Sequence, residues 1–197
     1  GHLSNDRSWR FWMKGPQKEY IVCGVLRDSS DSFGRPYPFL ILGTGFLKGW
    51  EDRWDLLPFT CEVVWNQMEY ISIKRFTDFT QFENEISLIR PPSPHWSEFV
   101  AQRDGLSYGD FQELREKSAC LSKKTEFCIS LDNEPSADHF TVLGLWYFFL
   151  KTHTKIVPNA VFMGGNPEKT YLAVFKRPLI PDDFVQLWSE SRMKHGF

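Results

Sequence analysis

Residues 20–42 read YIVCGVLRDSSDSFGRPYPFLIL, two apolar runs separated by a polar segment. The first run, residues 20–26, is rich in β-branched side chains, and the second covers residues 37–42, so both predict strands. Between them, residues 28–36 combine Asp, Ser, Gly and Pro, the residue types that favour turns. The stretch therefore predicts a β-hairpin with a long, structured loop.

Outward from this hairpin, helical and strand patterns follow one another along the chain. Pro58 suits a first helical turn, and Asp78 and Ser136 are predicted to cap two further helices. The predicted helices cover about residues 59–71, 79–89, 107–118 and 136–150, and a last one begins at 181, with Phe184 and Trp188 expected to face inward. The predicted strands cover 126–131, 159–163 and 170–175, the last two as a pair around a turn at residues 164–169. This order predicts one α+β domain with an antiparallel or mixed sheet packed against helices.

The composition limits the classes of protein to which the chain can belong. Apolar residues make up 42% of it, with 18 Phe, 8 Trp and 6 Tyr, which predicts a large packed core and excludes a disordered chain. The formal charge of -2 gives no electrostatic reason to bind nucleic acid. The longest apolar stretch, residues 142–150, is too short for a membrane span. Four scattered cysteines without a CxxC pair predict reduced thiols, Cys23 and Cys128 buried among them, and a cytoplasmic location.

Motifs of catalysis and metal binding are absent from the sequence. It contains no HExxH, GxSxG, GxGxxG or phosphate-binding loop, so we expect no catalytic residue, metal or cofactor. Asp138 and His139 are adjacent, but neighbours in a helix diverge by about 100°, which favours a capping Asp beside a partly exposed His. The sequence predicts a binding protein rather than an enzyme.

The polar loop of the hairpin has two interpretations. Ser29, Ser30 and Arg35 could surround an anion or phosphate, as in a small-ligand module or an enzyme. Alternatively, Asp31 pairs with Arg35 while Gly34 takes a positive φ, which would make the group a structural turn. Both remain open from the residues alone.

Four tryptophans show no inward periodicity. Trp9, Trp12, Trp50 and Trp54 fall near Gly, Pro or charged residues in the first third of the chain. Because tryptophan is enriched in interface hot spots, we predict that these side chains form a surface that faces a protein partner.

Two motifs resemble those of one known family. Trp9-Arg10-Phe11, followed by a strand and then by Ser-Ser-Asp-Ser-Phe-Gly-Arg-Pro-Tyr-Pro at residues 29–38, is similar to the TagF (ImpM) family of bacterial type VI secretion accessory proteins. The resemblance implies one TagF-like domain over residues 1–197, without the N-terminal segment that members usually carry. It also implies an α/β sandwich similar to longin domains.

The resemblance implies a function as well as a fold. It implies a cytoplasmic, non-enzymatic repressor that acts after translation on type VI secretion by binding an FHA-domain scaffold protein. The residues that it marks as partner-binding or loop-defining are Ser29, Asp31, Gly34, Arg35 and Tyr37. Among these, Asp31 and Arg35 are expected to shape the loop and Tyr37 to anchor it in the core.

Overall fold

A single six-stranded sheet organises the chain. The computed structural model describes residues 7–30, 33–106, 111–132 and 139–188. The strands are β1 (Ser8–Lys14), β2 (Tyr20–Ser30), β3 (Pro36–Phe46), β4 (Glu126–Ser130), β5 (Ala160–Asn166) and β6 (Lys169–Phe175). Their order across the sheet is β3-β2-β1-β5-β6-β4, and every neighbouring pair is antiparallel. The predicted α+β class is confirmed.

The helices lie between the third and fourth strands, between the fourth and fifth, and after the last. They are α1 (Leu57–Thr60), α2 (Glu62–Ile73), α3 (Phe79–Ser87), α4 (Trp96–Asp104), α5 (Gln112–Leu121), α6 (His139–His153) and α7 (Pro181–Trp188), and a 3₁₀ helix, Glu51–Leu56, precedes α1. No helix within the described ranges is long and apolar enough to cross a membrane.

One face of the sheet packs against most of these helices and holds the larger core. Trp12 of β1 lies against Trp50 and Trp54, with ring centroids 5.5 and 6.4 Å away, and its Nε1 donates to the Tyr147 hydroxyl of α6 over 2.8 Å. Trp9 points to the opposite face, because successive strand residues alternate. All four of these tryptophans are 0–2% exposed. The prediction that they face a partner is wrong, since each is packed inside one of the two cores.

The Trp-Arg-Phe motif is explained by the same alternation. Trp9 and Phe11 belong to the smaller core, whereas Arg10 points to the helical side. There the Arg10 guanidinium donates to both carboxylate oxygens of Glu69 over 2.7 and 2.6 Å and to Asn66 over 2.8 Å. The motif thus fills one face of β1 and attaches α2 to the other.

The predicted hairpin is present, with longer strands and a shorter loop. β2 runs to Ser30 and β3 starts at Pro36, so Ser29 is a strand residue paired with Tyr37 and not part of a long loop. Gly34 has the predicted positive φ, 77°. Tyr37 is 44% exposed and does not anchor the loop in the core, because its position lies near the end of an edge strand. Asp31, and with it the predicted pairing to Arg35, lies outside the described residues.

Most of the predicted helices are present, although their bounds differ from the predicted ones. Pro58 lies in the first turn of α1, and the Asp78 carboxylate caps α3 by accepting from the Gln81 amide over 2.8 Å. The apolar helix α6 is buried as predicted, while its proposed cap Ser136 lies outside the described residues. Phe79, the first residue of α3, is 70% exposed.

The cysteines behave as predicted. Those at positions 23, 61 and 128 are buried free thiols, and Cys120 is an exposed one.

Candidate functional site

The described residues cover the second face of the sheet only in part and leave an apolar groove on it. Among the described helices, only α7 contributes buried side chains to the core on this face. Beside α7 lies a cavity of about 900 Å³. Its floor is formed by Phe11, Met13, Leu26 and Phe162, one wall by Pro38, Leu40 and Leu42 of β3, and the other by Phe184, Val185 and Trp188 of α7.

The β3 wall follows from strand register. Leu40 pairs with Leu26 and Leu42 pairs with Gly24, and paired residues of an antiparallel sheet point to the same face. Gly24 has no side chain to fill the groove, and a Cβ at this position would clash with the Phe11 ring at 2.7 Å. Leu40 and Leu42 are each 49% exposed. β3 therefore presents every second side chain to the groove.

The α7 wall is held in place by a buried carboxylate. Asp183, fully buried, accepts from both terminal nitrogens of Arg177 over 2.8 and 2.7 Å and from the Ile180 amide over 2.8 Å. Arg177 also pairs with Glu126 of β4. Burial opposes ionisation of Asp183, but the Arg177 guanidinium and the Ile180 N–H together hold its pKa below the ordinary value.

The far end of α7 is fixed to the hairpin. The Trp188 indole N–H donates to the Asp28 carboxylate of β2, and the Phe184 ring lies 6.1 Å from the Phe162 ring in an edge-on arrangement. Phe184 and Trp188 were predicted to face inward. Instead they form the groove side of the helix, with Phe184 partly exposed and Leu187 buried beneath them.

The lining determines what the groove can do chemically. None of its residues is ionisable, so the groove offers no acid, base or nucleophile. Across the described part of the chain, no group of three His, Cys, Asp or Glu residues could hold a metal ion. An apolar groove of this kind binds apolar surface, either of a protein segment or of a small molecule.

The loop residues marked by the sequence lie beyond this groove, at the end of the hairpin. The Arg35 guanidinium lies 5.4 Å from the centre of the exposed Phe33 ring. Gly34 lies in the turn, and Ser29 and Tyr37 form the second-last pair of the ladder before it. Their contribution to the groove is indirect, because the hairpin that they close carries its β3 wall.

The groove residues were not identified from the sequence. Leu40 and Leu42 belong to an apolar run, and such a run predicts burial on both faces. The available signal was the charge-free stretch from Pro36 to Leu47, which is longer than a typical strand of about 5–6 residues.

The fold and the groove define the class of protein. It is an α+β domain in which the described helices leave one apolar sheet face partly uncovered. Comparisons of the chain with models of known protein families, with curated proteins and with solved structures find no match. The similarity to the TagF family and to longin domains accordingly remains a prediction that rests on the two motifs.

Proposed function

We propose that this protein is a non-enzymatic interaction protein that binds a protein partner in the apolar groove between α7 and β3. The observation that carries the proposal is a cavity of about 900 Å³ that is lined by apolar side chains and that the described residues leave open. Open apolar surface of this extent is costly in water and is typical of binding surfaces.

The partner is proposed from the motif resemblance. It is an FHA-domain scaffold protein of a bacterial type VI secretion system, and binding to it in the cytoplasm would repress secretion after translation, as the similarity to the TagF family implies. The groove supports this proposal by supplying a surface of the kind that a protein partner needs, and the absence of ionisable groups from its lining favours binding over catalysis.

Two exposed valines on different helices permit a matched experiment. Val185 lines the groove and is 56% exposed, whereas Val63 lies on α2, on the other side of the sheet, and is 54% exposed. Val185→Asp places a charge where the partner would exclude water, so we expect binding to weaken by about tenfold or more. Val63→Asp makes the same chemical change at the same exposure and should leave binding unaltered.

The measurement is isothermal titration calorimetry with the purified FHA-domain protein encoded with the same secretion system. Equal affinity of Val185→Asp and the unmodified protein would exclude the groove as the docking surface. Failure of the unmodified protein to bind would exclude the proposed partner.

A further inference from the structure

Strand β3 forms one edge of the sheet, and no other described strand pairs with its outer side. It is 11 residues long, and no charged residue occurs between Pro36 and Leu47. Natural proteins usually protect an edge strand with charge, with a bulge or by making it short. The opposite edge, β4, is short at five residues and carries Glu126, which is engaged by Arg177. β3 is long, uncharged and, since its register is uninterrupted, free of bulges, so it lacks all three protections over most of its length.

The hydrogen-bond phase of β3 shows which backbone groups point outward. The Leu47 amide donates to the Glu19 carbonyl over 2.8 Å, so the next pair inward, Tyr20 with Phe46, is a non-hydrogen-bonded pair. The register continues without interruption along the strand. Even-numbered residues of β3 therefore direct their N–H and C=O groups away from β2.

The positions of two prolines are consistent with this alternation of inward and outward backbone groups. Pro36 and Pro38 stand at outward positions, where a missing N–H removes no bond to β2. Beyond them, four outward amides remain, those of Leu40, Leu42, Thr44 and Phe46. No hydrogen bond within the described part of the chain engages these four amides. The prolines thus block one end of the edge and leave residues 40–46 open.

We propose that this segment pairs with the same segment of a second copy of the chain, antiparallel, about a two-fold axis at Gly43. This register places Leu40 opposite Phe46 of the second copy and Leu42 opposite Thr44 of the second copy. Four outward amides from each copy then donate to the facing carbonyls, and both prolines remain outside the paired segment. The two sheets become one sheet of twelve strands.

The segment is complementary to itself in this register. It carries no charge, so an antiparallel copy meets no like-charge repulsion. At two positions a large side chain faces a small one, since Leu42 meets Thr44 and Ile41 meets Gly45, while Leu40 and Phe46 form an apolar pair. Leu40, Leu42 and Phe46, which are about half exposed, lie on the groove face, so pairing would cover their outer sides and bring the grooves of the two copies together.

The size of the contact indicates a weak dimer. One strand of seven residues is smaller than a standard interface of about 1,600 Å². We therefore expect a dissociation constant on the order of micromolar, visible as a concentration-dependent equilibrium.

The experiment is sedimentation equilibrium of the full chain over a range of concentrations, with two variants at one position. Thr44→Pro removes an outward N–H and leaves the bonds to β2 intact, so we expect dimerisation to weaken by about tenfold or more, corresponding to the loss of two hydrogen bonds per dimer. Thr44→Val keeps the N–H and a similar shape, and should dimerise like the unmodified protein. Circular dichroism verifies that both variants fold. If Thr44→Pro does not fold, Phe46→Lys replaces it. This variant places a charge opposite the apolar Leu40 of the second copy, so it should also weaken dimerisation.

Three results would overturn the proposal. The first is that the unmodified protein stays monomeric at its highest soluble concentration, because the β3 edge would then not pair with a second copy. Another is a dimer that Thr44→Pro or its replacement does not weaken. The third is a dimer that Val185→Asp abolishes while the edge variants do not, because that result would place the contact in the groove. Failure of the FHA-domain titration has no bearing on this outcome.

Discussion

The carboxylate of Asp183 holds α7 on the sheet, and Asp183→Ala is expected to release it. The substitution removes two charged hydrogen bonds from Arg177 and the bond from the Ile180 amide. The guanidinium and the amide lose a buried acceptor that nothing else nearby replaces in full. The attachment of the first turn of α7 depends on this side chain, while Trp188 attaches the other end of the helix to Asp28.

The magnitude follows from what remains after the change. Breaking a buried ion pair by removing one partner costs about 3–5 kcal/mol. Arg177 retains its pairing with Glu126, and its side chain is 29% exposed, so water compensates part of the loss. We expect the free energy of unfolding to fall by about 3 kcal/mol, at the lower end of that range. For a chain of this length, the melting temperature should fall by about 6–12 °C.

The assay is urea unfolding followed by tryptophan fluorescence, with Asp182→Ala as the control. Asp182 lies in the same first turn of α7 but is exposed. Its substitution should cost less than about 0.5 kcal/mol. A loss below about 1 kcal/mol for Asp183→Ala, or equal losses for the two variants, would refute the assigned role.

The same carboxylate makes stability depend on pH. The pKa of Asp183 is held below its ordinary value in the folded protein. The ionised carboxylate therefore makes its full contribution to the free energy of unfolding above the pKa of the unfolded state, about 3.9. The contribution is lost as pH falls through the lower, folded pKa. The stability difference between the unmodified protein and Asp183→Asn should therefore shrink in acid below about pH 4. A difference that stays constant down to the acid transition would contradict this linkage.

Two further predictions concern the core. Tyr147→Phe removes the hydroxyl that accepts from the buried Trp12 Nε1, so the free energy of unfolding should fall by about 1–3 kcal/mol in the same urea assay. An unchanged stability would show that this hydrogen bond contributes nothing. In thiol labelling under native conditions, Cys120 should react alone, because the other three cysteines are buried and burial raises the pKa of Cys128 to about 12; labelling of more than one thiol without denaturant would contradict this.

Local patterns predicted the two hairpins, since each depends on neighbouring residues. The turn chemistry of residues 28–36 and of Gly164–Lys169 specifies antiparallel strands on either side. The central strand β1 was not predicted as a strand, because its five-residue run of Trp, Arg, Phe, Trp and Met has no polar alternation. Helix α4 was also missed, since it buries none of its side chains and so has no apolar stripe to detect.

The candidate site could be predicted only in part. The motif at residues 29–38 marked the hairpin correctly, but the groove lies along the arm of that hairpin and not at its turn. The tryptophans were assigned to the surface because loops surround them in the sequence. Three of them meet in the core because β1, the 3₁₀ helix and α6 converge there, and residues that are far apart in the chain make that contact.

By itself, the sequence determined the class of fold, the two hairpins, the buried helix α6 and the burial of Cys23 and Cys128. These follow from composition and from patterns within some 20 residues, where backbone geometry and burial set the periodicity. The tertiary structure alone decided the order of the six strands, and with it which face is covered by helices and which edge is left open. The physical reason is that an apolar strand has the same composition in the centre of a sheet as at its edge. Only its neighbours decide whether Leu40 and Leu42 are core residues or binding surface.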